Sequence, residues 1–268
     1  MAYLIFLVAG GLFALFGSVG PLHRDGWYEA LTGRLEALAL DEWISAGLSM
    51  LVPLLALFVL HAILAVFLGA LADFLMGVAV LYFAFGRGDF PTDLERFLAR
   101  ARDGDEAGAY ALLGDASEQA EGNSNSAALQ TLTYRGFERW FPPVFYCMAL
   151  GPFGAALYRL ASLSCSHYPE SGGQVVRVLD WLPARVLLLT FALLGDFDRS
   201  RSLFVHQAMD ASVDDRALLA LGIERAWRLD GAGDASEYTL AEVGETLQKA
   251  LQRSAVVWLI VLSLAALV

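Results

Sequence analysis

Charged residues are scarce in this sequence. Asp, Glu, Lys and Arg make up only 18% of its 268 residues, whereas about 25% is usual for a soluble domain. Apolar residues reach 57%, so the composition predicts a protein that crosses a membrane several times. The net charge of −11 argues against nucleic acid as a partner.

Cysteine, histidine and lysine are scarce as well, and this excludes several kinds of site. Cys147 and Cys165 lie in or beside apolar runs; they are interpreted as small buried apolar residues, with a disulfide as the alternative. The four histidines show no metal-ligand spacing. The single lysine, Lys249, follows no Gly-rich loop, which excludes a P-loop nucleotide site. We therefore expect no metal, no cofactor and no catalytic residue.

Long apolar runs are what the sequence does contain. A helix needs about 20 apolar residues to cross a bilayer, and six runs approach or exceed that length. They cover residues 2–20, 44–63, 66–86, 142–163, 182–195 and 254–268. The sequence therefore predicts an all-α, polytopic integral membrane protein with about four to six membrane helices, forming a single membrane domain over residues 1–268.

Three polar stretches separate these runs, at 21–43, 87–140 and 196–253. Of the 18 Arg and Lys residues, they hold two, six and seven respectively. Cytoplasmic loops are enriched in Arg and Lys, so we expect all three stretches to be cytoplasmic if all six runs cross, with 87–140 and 196–253 as helical segments and both chain ends facing outward. If 142–163 or 182–195 does not cross the membrane, every segment after it lies on the opposite side from the one predicted here.

Two capping boxes predict where helices begin in the polar stretches. Thr92 with Glu95 starts one amphipathic helix, and Thr239 with Glu242 starts another that can continue into the final apolar run. The amphipathic stretches at 92–102 and 200–228 either lie on the membrane surface or pack as a cytoplasmic helical cap. The cap is preferred, because their mixed charge does not suit binding to anionic lipid.

A family resemblance covers most of the chain. The segment "RGFERWFPPVFYCMALGPFGAALYRL", followed by "RVLDWLPARVLLL", resembles the AmpE family of bacterial inner-membrane proteins, which are associated with the regulation of β-lactamase induction. The same order of elements resembles the cobinamide-phosphate synthases, membrane-bound enzymes that join an aminopropanol phosphate to a corrinoid. The resemblance implies a multi-pass protein of the bacterial inner membrane.

At individual positions, this sequence matches only about half of the synthase pattern. The Pro–Ala–Arg at 183–185 and Pro143 match the synthase pattern, and Glu138 stands where the synthases carry Asp. The synthases look to carry Asn and Asp at the positions of Ala161 and Ser164, and an acid–Asn pair at 134–135. These departures favour AmpE over a synthase.

The stretch from Asp180 to Arg185 contains the strongest candidate site residues. A charge inside a membrane costs about 2.5–3.5 kcal/mol and tends to face a polar interior. Arg185 is interpreted as an anion-binding residue, or alternatively as an interfacial arginine paired with Asp180. Pro183 suits the first turn of a helix, and Asp180 is then expected to cap that helix.

Two further groups of candidate ligand-binding residues follow. Arg135, Glu138 and Arg139 lie at helical spacing before two prolines, where they form either the other half of the pocket or a basic girdle at the membrane surface. Tyr158 and Arg159 are either interface anchors or pocket residues.

Two ionisable residues lie inside the paired runs at 44–86. Asp73, inside the third run, is either a functional intramembrane acid or a headgroup-level residue. His61 is interpreted as an interface histidine.

Three functions are compatible with these features. The preferred one is a regulatory or signalling protein that binds the bilayer, an anionic or cell-wall-derived small molecule, and a cytoplasmic protein partner. The second is an amide-forming enzyme of the synthase type. The third is a transporter, which an internal repeat would support, but none is visible.

Overall fold

The computed structural model describes residues 2–17, 25–85, 89–114, 124–210, 213–227, 229 and 238–265. These described residues form twelve α-helices and contain no strand. The helices are α1 Ala2–Phe16, α2 Gly26–Glu36, α3 Glu42–Leu68, α4 Ala70–Ala84, α5 Phe90–Arg102, α6 Glu106–Ala111, α7 Ser124–Leu150, α8 Pro152–His167, α9 Pro169–Leu194, α10 Phe197–His206, α11 Asp215–Ala226 and α12 Leu240–Ala265. The prediction of an all-α protein is confirmed.

The chain divides into two compact units. Unit 1 consists of Met1–Gly88 and Arg139–Asp180, and unit 2 consists of Asp89–Glu138 and Trp181–Leu267. The two polar stretches predicted to be cytoplasmic, 87–140 and 196–253, thus fall almost wholly within unit 2. That they are cytoplasmic stays a prediction.

Unit 1 is built around α4. This helix packs against α1, α3 and α8. Gly77 allows the closest approach to α1, because a Cβ at that position would lie 2.5 Å from the Cδ1 atom of Ile5. Phe13, also on α1, extends this contact. Its ring centroid lies 5.6 Å from that of Phe85 and 5.2 Å from that of Trp140.

Unit 2 is organised by the contact between α5 and α12. The apolar face predicted for α5 is buried at Leu94, Phe97 and Leu98. Each such side chain contributes about 1.5–3 kcal/mol by leaving water. Gly244 of α12 lies directly against Leu98, where a Cβ would be 2.6 Å from the leucine Cδ2 atom.

Helix α3 is the one described helix that is long and apolar enough to cross a membrane. Its 27 residues correspond to about 40 Å at a rise of 1.5 Å per residue. Most of its apolar side chains are exposed, including Val66 at 81% and Phe67 at 79%. The shorter helices over Tyr3–Phe16 and Ala70–Ala84 are apolar too. A membrane location is therefore plausible, while the multi-pass arrangement stays a prediction.

Two of the predicted spans have different bounds in the structure. The run at 142–163 is divided at Gly151, whose φ of +72° is accessible to glycine at little cost, and α8 begins there with Pro152. The run at 182–195 is the C-terminal part of α9, which begins at Pro169. A sequence window cannot detect the polar first half of such a helix.

The predicted role of Pro183 and Asp180 as a helix start is wrong. Both lie inside α9. An interior proline costs a helix about 3 kcal/mol relative to alanine. Leu187 and Leu188, both fully buried one turn later, offset that cost by packing.

Of the two capping boxes, one is confirmed and one is shifted. The backbone N–H of Glu242 donates to Thr239 Oγ1 over 3.3 Å, and the backbone N–H of Thr239 donates to the Glu242 carboxylate over 2.8 Å. Helix α12 then runs unbroken into the final apolar run, as predicted. The cap of α5 is Asp89 rather than Thr92, since the Asp89 carboxylate accepts from the backbone N–H of Thr92.

Candidate functional site

In unit 1, a buried carboxylate lies among tyrosines. Asp180 is 1% exposed, and Tyr158 donates its hydroxyl to Asp180 Oδ1 over 2.8 Å. The ring of Tyr146 stacks on that of Tyr158, with 6.1 Å between centroids, and its own hydroxyl donates to the carbonyl of Leu179 over 2.7 Å. Two predicted site residues, Asp180 and Tyr158, are thus in direct contact.

Helices α7, α8 and α9 supply the three members of this Asp180 cluster. Gly172 lets α9 approach α8 closely, since a Cβ there would be 2.7 Å from backbone atoms of Ser164 and Cys165. Sequence reasoning missed Tyr146, because a tyrosine within an apolar run is indistinguishable from an interface anchor.

Arg159 forms an ion pair with Asp25 in unit 1. Its Nη2 atom is 3.3 Å from Asp25 Oδ2, and the two side chains are only 12% and 11% exposed. The guanidinium carbon also lies 5.8 Å from the centroid of the Phe83 ring. Asp25 was not predicted, although an acid beside Gly26 in a polar stretch could have been flagged as a partner for an arginine.

Asp73 also has a partner in unit 1. Its Oδ1 atom lies 2.7 Å from Nε2 of His61. The pair links α4 to α3, and the His61 ring packs edge-on against Phe153, 5.6 Å between centroids. The sequence offered no basic neighbour for Asp73 because the pairing crosses the turn at Gly69.

In unit 2, Arg185 is buried and bonded to protein atoms. It forms an ion pair with Asp215, and its Nε donates to the carbonyl of Ala208 over 2.9 Å. Further bonds reach the carbonyls of Trp181 and Asp210, at 3.2 and 3.3 Å. The guanidinium therefore fastens the segment after α10 and the start of α11 to α9.

Helix α7 contains the remaining predicted residues. In unit 2, Arg135 donates to the carbonyl of Leu113 over 2.6 Å and to that of Leu112 over 3.4 Å, so it closes the end of α6. Glu138, in unit 2, and Arg139, in unit 1, are both half-buried. The anion-binding role predicted for these residues stays a prediction.

Two of the positions that differ from the synthase pattern, Ala161 and Ser164, belong to a packed core in unit 1. Ala161 lies in an apolar cluster with Tyr28, Met50 and Leu160. Ser164 is fully buried, and its Oγ lies 3.4 Å from that of Ser49. Burial raises the pKa of the Tyr28 hydroxyl, which donates to Ser49 over 2.9 Å. Both positions therefore contribute to packing here.

Among the residues that the structure describes, no group of three or more His, Cys, Asp or Glu side chains could hold a metal ion. The candidate site residues can form hydrogen bonds and ion pairs. Asp180 accepts a hydrogen bond from the phenol of Tyr158, and three arginines are directed at carboxylates and carbonyls of the protein itself.

A comparison with known proteins finds a weak similarity to part of a cobalamin biosynthesis protein. The chain is 28% identical over 140 residues to the cobalamin biosynthesis protein CobD of Chromobacterium violaceum, covering 47% of this chain and 45% of that protein. The match thus spans less than half of the relative's length. No known family profile and no solved structure matches the chain. The similarity supports the predicted relation to the cobinamide-phosphate synthases and gives no support to AmpE.

Proposed function

We propose that this chain is a non-catalytic, membrane-bound regulatory protein that uses the scaffold of the cobinamide-phosphate synthases. The observation that carries the proposal is the packing of Ala161 and Ser164, both fully buried. A methyl group and a hydroxyl bonded within the core cannot supply the carboxamide and acid expected of a synthase there. The scaffold is kept without that chemistry.

The proposed role is the one that the resemblance to AmpE implies. The protein acts at the bacterial inner membrane in the regulation of β-lactamase induction, with an anionic, cell-wall-derived small molecule as ligand. The Asp180 cluster is the proposed place where a ligand amide or hydroxyl is recognised, because its carboxylate and phenolic oxygens can accept hydrogen bonds from such a group. Unit 2 is the proposed surface for a cytoplasmic partner, because most of the charged residues lie there.

A second candidate is a membrane enzyme of the synthase type. The similarity to CobD supports it, as do Pro143 and the Pro–Ala–Arg at 183–185. In that case the buried Asp180 is the group proposed to accept a proton from an attacking amine.

One pair of assays separates the two candidates. Purified protein in detergent is incubated with a corrinoid acid, its activating nucleotide and an aminopropanol phosphate, and amide product is counted per protein. In parallel, a host that lacks its own AmpE-like gene is complemented, and inducible β-lactamase output is measured together with the membrane level of the protein. We expect at most one molecule of amide product per protein molecule. In the complemented host, we expect inducible β-lactamase output to be restored.

A matched pair of variants locates the site in the same host. Tyr158→Phe removes only the hydroxyl that donates to Asp180, whereas Tyr3→Phe makes the same change on α1. We expect Tyr158→Phe to reduce the β-lactamase response at unchanged membrane level and Tyr3→Phe to be silent. Repeated turnover with corrinoid would establish the enzyme instead. Failure to restore the response at normal membrane level would contradict the regulatory role.

A further inference from the structure

The hairpin formed by α3 and α4 contains a polar pair in an otherwise apolar surface. His61 Nε2 and Asp73 Oδ1 are 2.7 Å apart, and the side chains are 24% and 62% exposed. Around Asp73 the exposed neighbours are Leu71 and Leu75. A carboxylate that is mostly open to its surroundings is ordinary in water, but it is costly in hydrocarbon.

The end of the hairpin indicates where this pair lies. Residues 62–72, "AILAVFLGALA", include the turn at Gly69 and contain no charged or hydrogen-bonding side chain. Val66 and Phe67 at this tip are 81% and 79% exposed. If α3 lies in the bilayer, an apolar tip of this kind is most stable in or next to the hydrocarbon. By helical rise, Asp73 lies about 6 Å and His61 about 12 Å along their helices from Gly69, so the polar pair then lies in the membrane too.

The His61–Asp73 pair has one hydrogen-bond donor and one hydrogen-bond acceptor that its own bond does not use. In the part of the chain that the structure describes, the only hydrogen bond of either side chain is the one between them. A pair without net charge, the form that hydrocarbon favours, holds two protons, one of them shared between Nε2 and Oδ1, so that Nδ1–H of His61 remains a donor and Oδ2 of Asp73 remains an acceptor. The facing groups are Asp73 from α4 and the uncharged ring of Phe153 from α8. Lipid tails offer neither a donor nor an acceptor.

We propose that this face of the α3–α4 hairpin is an intramembrane interface with a second copy of the chain. A two-fold axis would place Nδ1 of each His61 against Oδ2 of the other copy's Asp73. An isologous contact requires such a self-complementary patch. Polar side chains that bond across helices are a common means of association in membranes, where burial of apolar surface gives little driving force. The proposal depends on α3 being in the membrane and is independent of the proposed function.

The test measures self-association in liposomes. Full-length copies with donor or acceptor fluorophores on an added C-terminal tag are reconstituted, and energy transfer is followed as lipid dilutes the protein. We expect association in the wild type and about tenfold weaker association for Asp73→Leu, because the substitution removes both symmetry-related interhelical hydrogen bonds, each of which is weak in a membrane. The exchanged variant, His61→Asp with Asp73→His, keeps the complementarity and should associate as the wild type does.

Leu51→Ala is the matched control, because Leu51 is 52% exposed on the same helix but about 15 Å from His61 along its axis. It should leave association unchanged. Helix content by circular dichroism verifies that every variant is folded. Energy transfer no greater than chance for the wild type, or equal association of the wild type and Asp73→Leu, would overturn the proposal. So would weak association of a folded exchanged variant.

Discussion

At the scale of single residues, Arg185 is the clearest case of a side chain with a structural role. Arg185 is 8% exposed, and its guanidinium bonds to Asp215 and three backbone carbonyls. It also lies 5.0 Å from the Trp181 ring centroid. A buried charge is tolerated only when its partners satisfy it, and here they come from three segments of unit 2.

Removing Arg185 should therefore destabilise unit 2. We expect Arg185→Ala to lower the free energy of unfolding by about 3–5 kcal/mol, because it removes the cation of a buried ion pair and leaves the Asp215 charge uncompensated by Arg185. Arg185→Lys should lower the free energy of unfolding by less, since an ammonium keeps the charge but cannot make all the hydrogen bonds of the planar guanidinium. Denaturant titration in mild detergent, followed by circular dichroism, measures the loss.

The double variant Arg185→Leu with Asp215→Leu is the internal check. It should be more stable than Arg185→Ala, because neither charge is left alone. Arg100→Ala is the control, as Arg100 and Asp105 form an exposed pair, each 50% exposed, and should cost at most about 1 kcal/mol. A normal stability for folded Arg185→Ala would contradict the structural role.

At the scale of elements, two adjacent glycines on α9 have different surroundings. A Cβ on Gly172 would lie 2.7 Å from backbone atoms of α8, whereas at Gly173 its nearest neighbour would be Cys165 Sγ at 3.8 Å. Backbone cannot move aside without separating the two helices. The first glycine is required by packing, and the second is not.

Substitution by alanine tests this difference. Gly172→Ala should destabilise unit 1 by about 1–3 kcal/mol through overpacking. Gly173→Ala should be neutral, or stabilising by up to about 1 kcal/mol, because alanine favours a helix. Thermal unfolding of both variants in the same detergent compares them, and equal midpoints would show that α8 and α9 do not pack this closely.

The contact between α5 and α12 predicts a dependence on pH. A hydrogen bond from Arg102 holds the pKa of the Glu245 carboxyl below its ordinary value of 4.5, over 2.8 Å. Because the folded pKa is the lower one, the stabilisation is present above about pH 4.5 and is lost as pH falls through the folded value.

Glu245→Gln removes this contribution. The variant should be less stable than the wild type at pH 6, and the difference should shrink as pH falls below 4.5. Glu106→Gln removes one negative charge on α6 and controls for net charge. Melting midpoints from pH 3 to 6 would show the convergence, and parallel curves for wild type and Glu245→Gln would contradict it.

At the scale of the whole molecule, the distribution of arginine makes a prediction about topology. The three polar stretches contain fifteen of the eighteen Arg and Lys residues, and such stretches are retained in the cytoplasm. Reporter fusions after residues 40, 110 and 230 should all read cytoplasmic.

A periplasmic signal at 230 alone would have a specific meaning. It would show that an odd number of crossings lies between 142 and 196, where the structure divides one predicted span at Gly151 and merges the other into α9. Resistance of the protein to alkaline extraction from membranes, measured in the same cells, is the control for integration.

The sequence by itself determined the helical class, the apolar character of α3 and the helix start at Thr239. It also identified Asp180, Tyr158 and Arg185 as unusual. These features depend on composition, on helical periodicity and on capping residues three positions apart, all of which are local along the chain. The relation to the cobinamide-phosphate synthases also came from local motifs.

Only the tertiary structure decided which groups those residues meet. Arg185 pairs with Asp215 and His61 with Asp73, thirty and twelve residues apart, and no local pattern encodes such pairings. The bounds of α9 depend equally on packing, because the buried leucines after Pro183 offset a proline that propensity alone would place at a helix start. Contacts between distant segments determine both features, since burial makes an unpaired charge or an unfilled core too costly to persist.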